Sequence, residues 1–316
     1  MCISKKSSTF AVAFEKMNTF GRKIRFTDFG ESHGVAVGGV LDGVPSMLQI
    51  DLAAIQRDLD RRAGRIDDLV VSDRARHEAD KVEWLSGLTP DMLTLGSPIA
   101  FIIRNTDTRS EDYEALKDLY REGHADEVYE LKYGIRDWRG GGRASARETA
   151  ARVVAGSIAK QLLAQNGITL EAKLVQVGDE ANPDRFKSLL EQVQQDGDSV
   201  GGIVECRIKG VPAGIGEPIF DKLQACLAYA VMSINGCKGF EYGSGFRSAA
   251  MRGSEGFQSG GIVGGISDGN DIVFRCVFKP TATITKKYGG RHDVCIAVRA
   301  IPVVEAMAAL AILNVQ

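Results

Sequence analysis

Two histidines stand among glycines, and histidine is the side chain that gives or takes a proton near neutrality. The first lies in FGESHGVAVGGVLDGVP, Phe29 to Pro45, where Gly30 and Gly34 flank Glu31, Ser32 and His33. Glycine admits positive φ and close backbone approach, so this spacing predicts a tight turn that aims a side chain. The second lies in REGHAD, Arg121 to Asp126, with His124 following Gly123 between charged residues. A loop of that kind presents an imidazole rather than burying it. Either stretch also fits a plain surface turn that happens to hold a histidine.

The run RDWRGGGRASARETAARVVAGSIAKQLL adds an anion site. Ser145 and Glu148 have capping-box spacing, and Val154, Ile158 and Leu162 recur every four residues, so a helix is expected just after Gly140, Gly141 and Gly142. Free amides and the helix dipole at such a start attract an anion, and Arg139, Arg143 and Arg147 supply charge-assisted donors for phosphate or carboxylate. A capped helix with flexible glycines explains Ser145 and Glu148 but not three arginines. Neither GxxxxGK[ST] nor GxGxxG is present. A second cluster, Arg57, Arg61, Arg62 and Arg65, ends a helix that Asp51 caps, that places Leu52, Ile55 and Leu59 on one face, and that stops at Gly64. These arginines either complement the helix C-terminus or meet an anion.

The elements that must position these groups alternate along the chain. Strands are expected at Val35 to Leu41, Pro98 to Ile103, Gly202 to Lys209 and Ile272 to Phe278. A short helix runs from Ser110 to Tyr120, and another from Asp221 to a stop at Asn235-Gly236. A last helix carries Pro302 in its first turn and is apolar nearly all round, the pattern of a buried helix. Residues 1 to 16 read as a polar, poorly ordered extension, which leaves 17 to 316 as one large catalytic domain without repeats or linkers. A net charge of -2 and 7% aromatic residues argue against a nucleic-acid module built on Arg57 to Arg76. The six cysteines form no CxxC pair, so buried thiols in a reducing cytoplasm are expected, with no disulfide or metal site. No uninterrupted run matches a membrane span and no signal peptide is evident, so no membrane partner is expected. The residues alone therefore point to an enzyme with histidine acid/base chemistry on a small, anionic, phosphorylated substrate, with glycine-rich loops that let backbone pack against a flat cofactor.

FGESHG with DGVP, RGGGRASARETAARVVAG, GGIVGGISDG, KPT, and GRHDVC with AVRAIPVVEAM resemble, in this order, the chorismate synthase family over nearly all of residues 17 to 316. The resemblance implies an α+β fold with helices sandwiched between antiparallel sheets, usually assembled as a homotetramer. It implies a shikimate-pathway lyase that converts 5-enolpyruvylshikimate 3-phosphate to chorismate and phosphate by trans-1,4 elimination. Reduced FMN is the implied cofactor, with NADPH as a reductant source. His33 resembles the histidine that assists the departing phosphate, and His124 the one that protonates reduced flavin. Asp293 resembles the aspartate that works with the flavin in taking the substrate's C6 hydrogen, with Ser32 and Ser145 positioning this relay. Flavin contacts carry over to Arg143, Ala144, Ser145, Asn235, Gly236, Gly264, Lys279, Pro280, Thr281, Ala282, Thr283 and Arg291, and Arg62 matches a substrate or NADP arginine. The chain departs from the family at Glu122, Ala144 and Val294, and its stretches near 255, 259 and 286 are shorter. A flavin-binding reductase or electron-transfer protein would use the same glycines without elimination; the two loop histidines speak against it.

Overall fold

The computed structural model describes residues 18–65, 69, 79–108, 110–289 and 292–316. The expectations for residues 1 to 16 and for Arg291 lie outside the described residues. Eleven strands are described: β1 (Thr19–Phe20), β2 (Arg25–Phe29), β3 (Ala36–Asp42), β4 (Val82–Ser86), β5 (Ile99–Arg104), β6 (Thr169–Val177), β7 (Gly202–Lys209), β8 (Cys237–Tyr242), β9 (Ile262–Val263), β10 (Ile266–Ser267) and β11 (Ile272–Phe278). The α-helices are α1 (Leu52–Arg62), α2 (Asp126–Tyr133), α3 (Thr149–Ala164), α4 (Pro183–Gln195), α5 (Leu223–Met232), α6 (Thr285–Tyr288) and α7 (Ile296–Val315).

Two antiparallel sheets form the outer layers, in orders β1-β2-β3-β5-β4 and β6-β7-β11-β8, with β9 and β10 as a separate hairpin. In β7 and β11 every second residue is buried, from Val204, Cys206 and Ile208 to Phe274, Cys276 and Phe278. Each sheet therefore presents one apolar face to a helical layer. Helix α3 packs on β3, α7 packs on β6 and β7, and α1, α3, α5 and α7 pack on one another between the sheets. This is the α+β sandwich that the family resemblance implies. A Cβ on Gly156 of α3 would sit 2.1 Å from the Cβ of Ala306 in α7, so only glycine lets these two helices cross so closely.

One buried carboxylate ties the layer together. Glu305 of α7 accepts from both terminal nitrogens of Arg61 at 2.8 Å, from Lys160 Nζ at 2.8 Å and from the Ala172 amide at 2.9 Å. Burial would raise its pKa, but Arg61 and Lys160 hold it below the usual range. Arg61 is thus a packing element, which settles one member of the α1 cluster.

Three boundaries differ from the sequence expectation. Ser145 does accept from the Arg147 amide, yet it caps a 3-10 turn, Ala146–Glu148, and the α-helix starts only at Thr149. Pro302 lies inside α7 rather than in its first turn, because the apolar residues from Ile296 onward are buried as helix too. Losing one backbone bond is tolerated where packing encloses the helix on all sides. Asn235 and Gly236 lie beyond α5, which ends at Met232. Helix α7 is long and apolar enough to cross a membrane, but 89% of its most apolar 18-residue stretch is buried inside the protein, as in a core helix. The described cysteines are free thiols, and Cys206, Cys237, Cys276 and Cys295 are buried as expected.

Candidate functional site

A cavity of about 1200 Å³ opens where the end of β2, the REGHAD loop, the glycine turn, the segment after α5 and the segments 279–283, 288–289 and 292–299 converge. It brings together both loop histidines, Asp293, Ser145, Arg143, Ala144, Asn235, Gly236 and Lys279 to Thr283. Ser32 sits fully buried behind His33.

The glycine run is built around the two imidazoles. A Cβ on Gly140 would lie 2.0 Å from His33 Nδ1 and 2.6 Å from Ser32 Oγ, and one on Gly141 would lie 2.9 Å from His124 Cε1. Both positions have positive φ, 61° and 84°, so sterics of the side chain and of the backbone each demand glycine. The sequence placed the glycines at an anion site; the structure shows them as seats for the catalytic candidates.

Each histidine is held at one ring nitrogen. His33 Nδ1 lies 3.1 Å from Ser32 Oγ, and Tyr113 packs edge-on with centroids 5.1 Å apart. His124 Nδ1 is 2.9 Å from the carboxylate of Asp126 and 3.1 Å from Arg121 Nη2. Asp126, buried at the start of α2, also accepts from the Arg121 amide and Nε and pairs with Arg136 at 3.3 Å. Burial would raise its pKa, but His124 and Arg121 hold it far below the usual carboxylate range. Asp126 stays ionised and, with Arg121, fixes the direction of the His124 ring. Asp293 Oδ2 pairs with Arg299 Nη1 at 2.6 Å, and Arg299 Nε donates to the Arg62 carbonyl at 3.1 Å.

The other walls are cationic and polar. Arg143 pairs with Asp28 at 2.5 Å, and Arg147 is clamped by buried Asp80. Burial and repulsion from Lys238 lower the pKa of Lys279, the mark of two cations kept close together. Asn235 Nδ2 donates to the Ala144 carbonyl at 3.1 Å, and Thr283 Oγ1 accepts from Arg121 Nη1 at 3.1 Å. Among the described residues, three buried polar atoms at this cavity have no hydrogen-bond partner: Arg143 Nη1, Asn235 Oδ1 and Thr281 Oγ1. Such groups are costly unless a ligand completes them.

Two sequence candidates stand elsewhere. Arg62 is 1% exposed and does not line the cavity: its guanidinium pairs with Asp80 and donates to Thr149 Oγ1 and to the Ala146 and Arg147 carbonyls. It buttresses the 3-10 turn from behind. Gly264 lies in the β9–β10 turn, outside the cavity lining. Asp28, Arg121, Asp126, Arg152, Lys238 and Arg299 line the cavity without having been singled out from the sequence. The charges flanking His124 in REGHAD were a legible signal for Arg121 and Asp126; Asp28, on a strand distant in sequence, gave none. Glu122, a departure from the family pattern, pairs with Lys287 at 2.5 Å and ties the His124 loop to α6.

The family model of chorismate synthase matches residues 24–316. Chorismate synthase of Christiangramia forsetii is 47% identical over 343 aligned positions, covering 93% of this chain and 95% of the relative. That of Bacteroides thetaiotaomicron is 46% identical over 350 positions, covering 94% and 97%. Both alignments are longer than the 316 residues of this chain, so the relatives carry internal stretches that it lacks. A solved structure described as a crystal structure of chorismate synthase superposes with a TM-score of 0.73 at 30% identity, covering 94% of this chain and 92% of its own. With the sandwich fold, the histidine-seating glycines and these matches in agreement, the chain belongs to the chorismate synthase family.

Proposed function

We propose that this cavity binds FMN beside 5-enolpyruvylshikimate 3-phosphate and is where phosphate is eliminated to give chorismate. Family membership makes the chain a phosphate-eliminating lyase of aromatic amino-acid biosynthesis; what is proposed is where and with which groups. One observation carries the reading: the three unpartnered polar atoms belong to Arg143, Asn235 and Thr281, all residues that the family pattern assigns to FMN. Together they offer a donor, an acceptor and a hydroxyl that does either, which fits a flavin with its mixed polar edge and its phosphate.

Reduced FMN, when bound, supplies electron density to the breaking carbon–oxygen bond with no net oxidation. Lys238 and Lys279 balance the phosphate and carboxylate charges that two anionic ligands bring into one cavity. His33, held at Nδ1 by Ser32, is assigned the proton for the departing phosphate. His124, held at Nδ1 by Asp126, is assigned the proton on the flavin side. Asp293, oriented by Arg299, is assigned the C6 hydrogen of the substrate, with Ser145 positioning this side of the site. A positioned general acid contributes roughly 10² to 10⁴ in rate.

NADPH as the reductant source, a cytoplasmic location and a homotetramer belong to the same reading, as does a catalytic unit spanning 17 to 316. Large apolar side chains in the open, Phe220 at 85% and Phe246 at 84% exposed, favour self-association. Fluorescence titration of FMN tests the site. Asn235→Ala and Thr281→Val are each expected to weaken binding roughly tenfold, the weight of one buried hydrogen bond; unchanged affinity in both would refute the assignment.

A further inference from the structure

Beyond the groups that the reaction uses, the cavity wall contains a carboxyl pair. Asp28, at the end of β2, and Glu148, in the 3-10 turn before α3, are both buried, at 8% and 3% exposure, and both line the cavity. They converge on one nitrogen: Arg152 Nε lies 3.1 Å from Glu148 Oε2 and 3.4 Å from Asp28 Oδ2. The other oxygen of Asp28 takes Arg143 Nη2, whose Nη1 is the buried donor left without a partner. Two buried carboxylates gathered on one guanidinium repel each other when both are ionised, which favours a state in which one of them holds a proton.

We propose that Asp28 and Glu148 share one proton in the cavity wall and thereby set the net charge that Arg143 and Arg152 present to an anionic ligand. With the proton in place the four groups sum to one positive charge; without it they sum to zero. The groups facing the pair are Arg143 from the glycine turn, Arg152 from α3 and Tyr129 from α2, with Glu31 acting on Arg143 from the turn after β2. Burial raises the pKa of Glu148 to about 7, although Arg152 opposes this, while Asp28, despite its burial, is kept low by its contacts with Glu148 and Arg143. Glu148 therefore holds the proton and releases it near neutrality. Asp28 and Glu148 are positioning residues: they act on the ligand through the arginines. The proposal rests on the reading that the cavity takes a phosphorylated cofactor.

The test is the affinity of full-length protein for oxidised FMN from pH 5.5 to 8.5, in wild type, Glu148→Gln and Asp28→Asn. Taking the ratio of wild-type to variant Kd at each pH cancels the titration of the FMN phosphate itself. For Glu148→Gln the ratio should start near one and rise roughly tenfold by the alkaline end, the effect of one added negative charge within about 10 Å after screening. Asp28→Asn leaves the site one charge more positive than wild type at the alkaline end, where its ratio should again stand roughly tenfold above one. A ratio for Glu148→Gln that stays constant with pH overturns the proposal while leaving the FMN site intact. No FMN binding by wild type at any pH overturns the cavity reading and this proposal with it. Wild type supplies a readout that needs no variant: an infrared band of a protonated carboxyl that disappears as pH rises through neutrality, whose absence at pH 5.5 to 6.5 would also overturn the proposal.

Discussion

Replacing Gly140 by alanine separates the seating of His33 from ordinary backbone strain. Gly140 has φ of 61°, and its new Cβ would lie 2.0 Å from His33 Nδ1 and 2.1 Å from Cε1. Ordinary contact begins at 3.4 Å, so the ring must retreat by about 1.4 Å, the difference between these distances. Gly134, at the end of α2, has φ of 77° and nothing within 4 Å of an added Cβ. Gly134→Ala therefore carries the strain without the collision. Both variants should lose about 1 kcal/mol to left-handed backbone, which for a domain of this size lowers Tm by roughly 1–2 °C. Displacing a catalytic group by an ångström costs on the order of 10² in rate, about 2.7 kcal/mol in the barrier. Gly140→Ala should therefore lose at least 10² in kcat while Gly134→Ala keeps the wild-type value. The assay is anaerobic phosphate release under saturating substrate and reduced FMN, with folded fraction matched by near-UV circular dichroism. If the two variants differ by less than threefold in kcat, His33 is not seated by this glycine in any way that matters to catalysis.

Asp126→Asn should remove about 3 kcal/mol, because it leaves Arg121 and Arg136 buried against a neutral partner. Since the folded pKa of Asp126 is depressed, its contribution is present above the unfolded value near 3.9 and is lost as pH falls toward the folded one. Urea titrations at pH 7 and pH 3.5 should thus show the wild-type advantage shrinking in acid; an advantage that grew in acid would contradict the assignment. Glu148 has the opposite sign: its pKa is raised from 4.5 to about 7, so wild-type stability falls as pH rises across that interval and stays lower above it. Glu148→Gln removes this slope and should gain on wild type by up to about 3 kcal/mol between pH 5 and pH 8, read from the same titrations. Arg62→Ala should destabilise by about 3 kcal/mol, because buried Asp80 loses one guanidinium partner and keeps Arg147, and the Ala146 and Arg147 carbonyls lose a donor, while the KM of the folded enzyme moves only a few-fold; a hundredfold rise in KM at intact stability would return Arg62 to the substrate.

Period-two burial made β7 and β11 legible, and Gly202–Lys209 and Ile272–Phe278 match the sequence expectation residue for residue. The Asp51 cap of α1 was legible for the same local reason, its side chain accepting from the Ala54 amide at 3.0 Å. Helix starts were less so, because a serine cap followed by glutamate serves a 3-10 turn as well as an α-helix, as Ser145 shows. At the site, the histidines and glycines announced themselves by residue type. Their partners did not: Asp28 meets Arg143 across 115 positions and Asp80 meets Arg147 across 67. Nothing local records a pairing that only the fold brings about. The α1 arginines illustrate the reverse error, since of a cluster that suggests an anion in sequence Arg61 and Arg62 are spent on Glu305 and Asp80 inside the protein, and Arg57 and Arg65 pair with Asp51 and Asp60.

The most direct test of the account is anaerobic turnover of 5-enolpyruvylshikimate 3-phosphate with photoreduced FMN, following phosphate and chorismate together in wild type, His33→Ala and His124→Ala. Wild type should form the two products in equal amounts, and each substitution should slow both by about 10² or more with FMN affinity retained. Wild-type rates in both variants, with FMN bound, would contradict the central claim that the glycine run seats two acid/base histidines for this elimination.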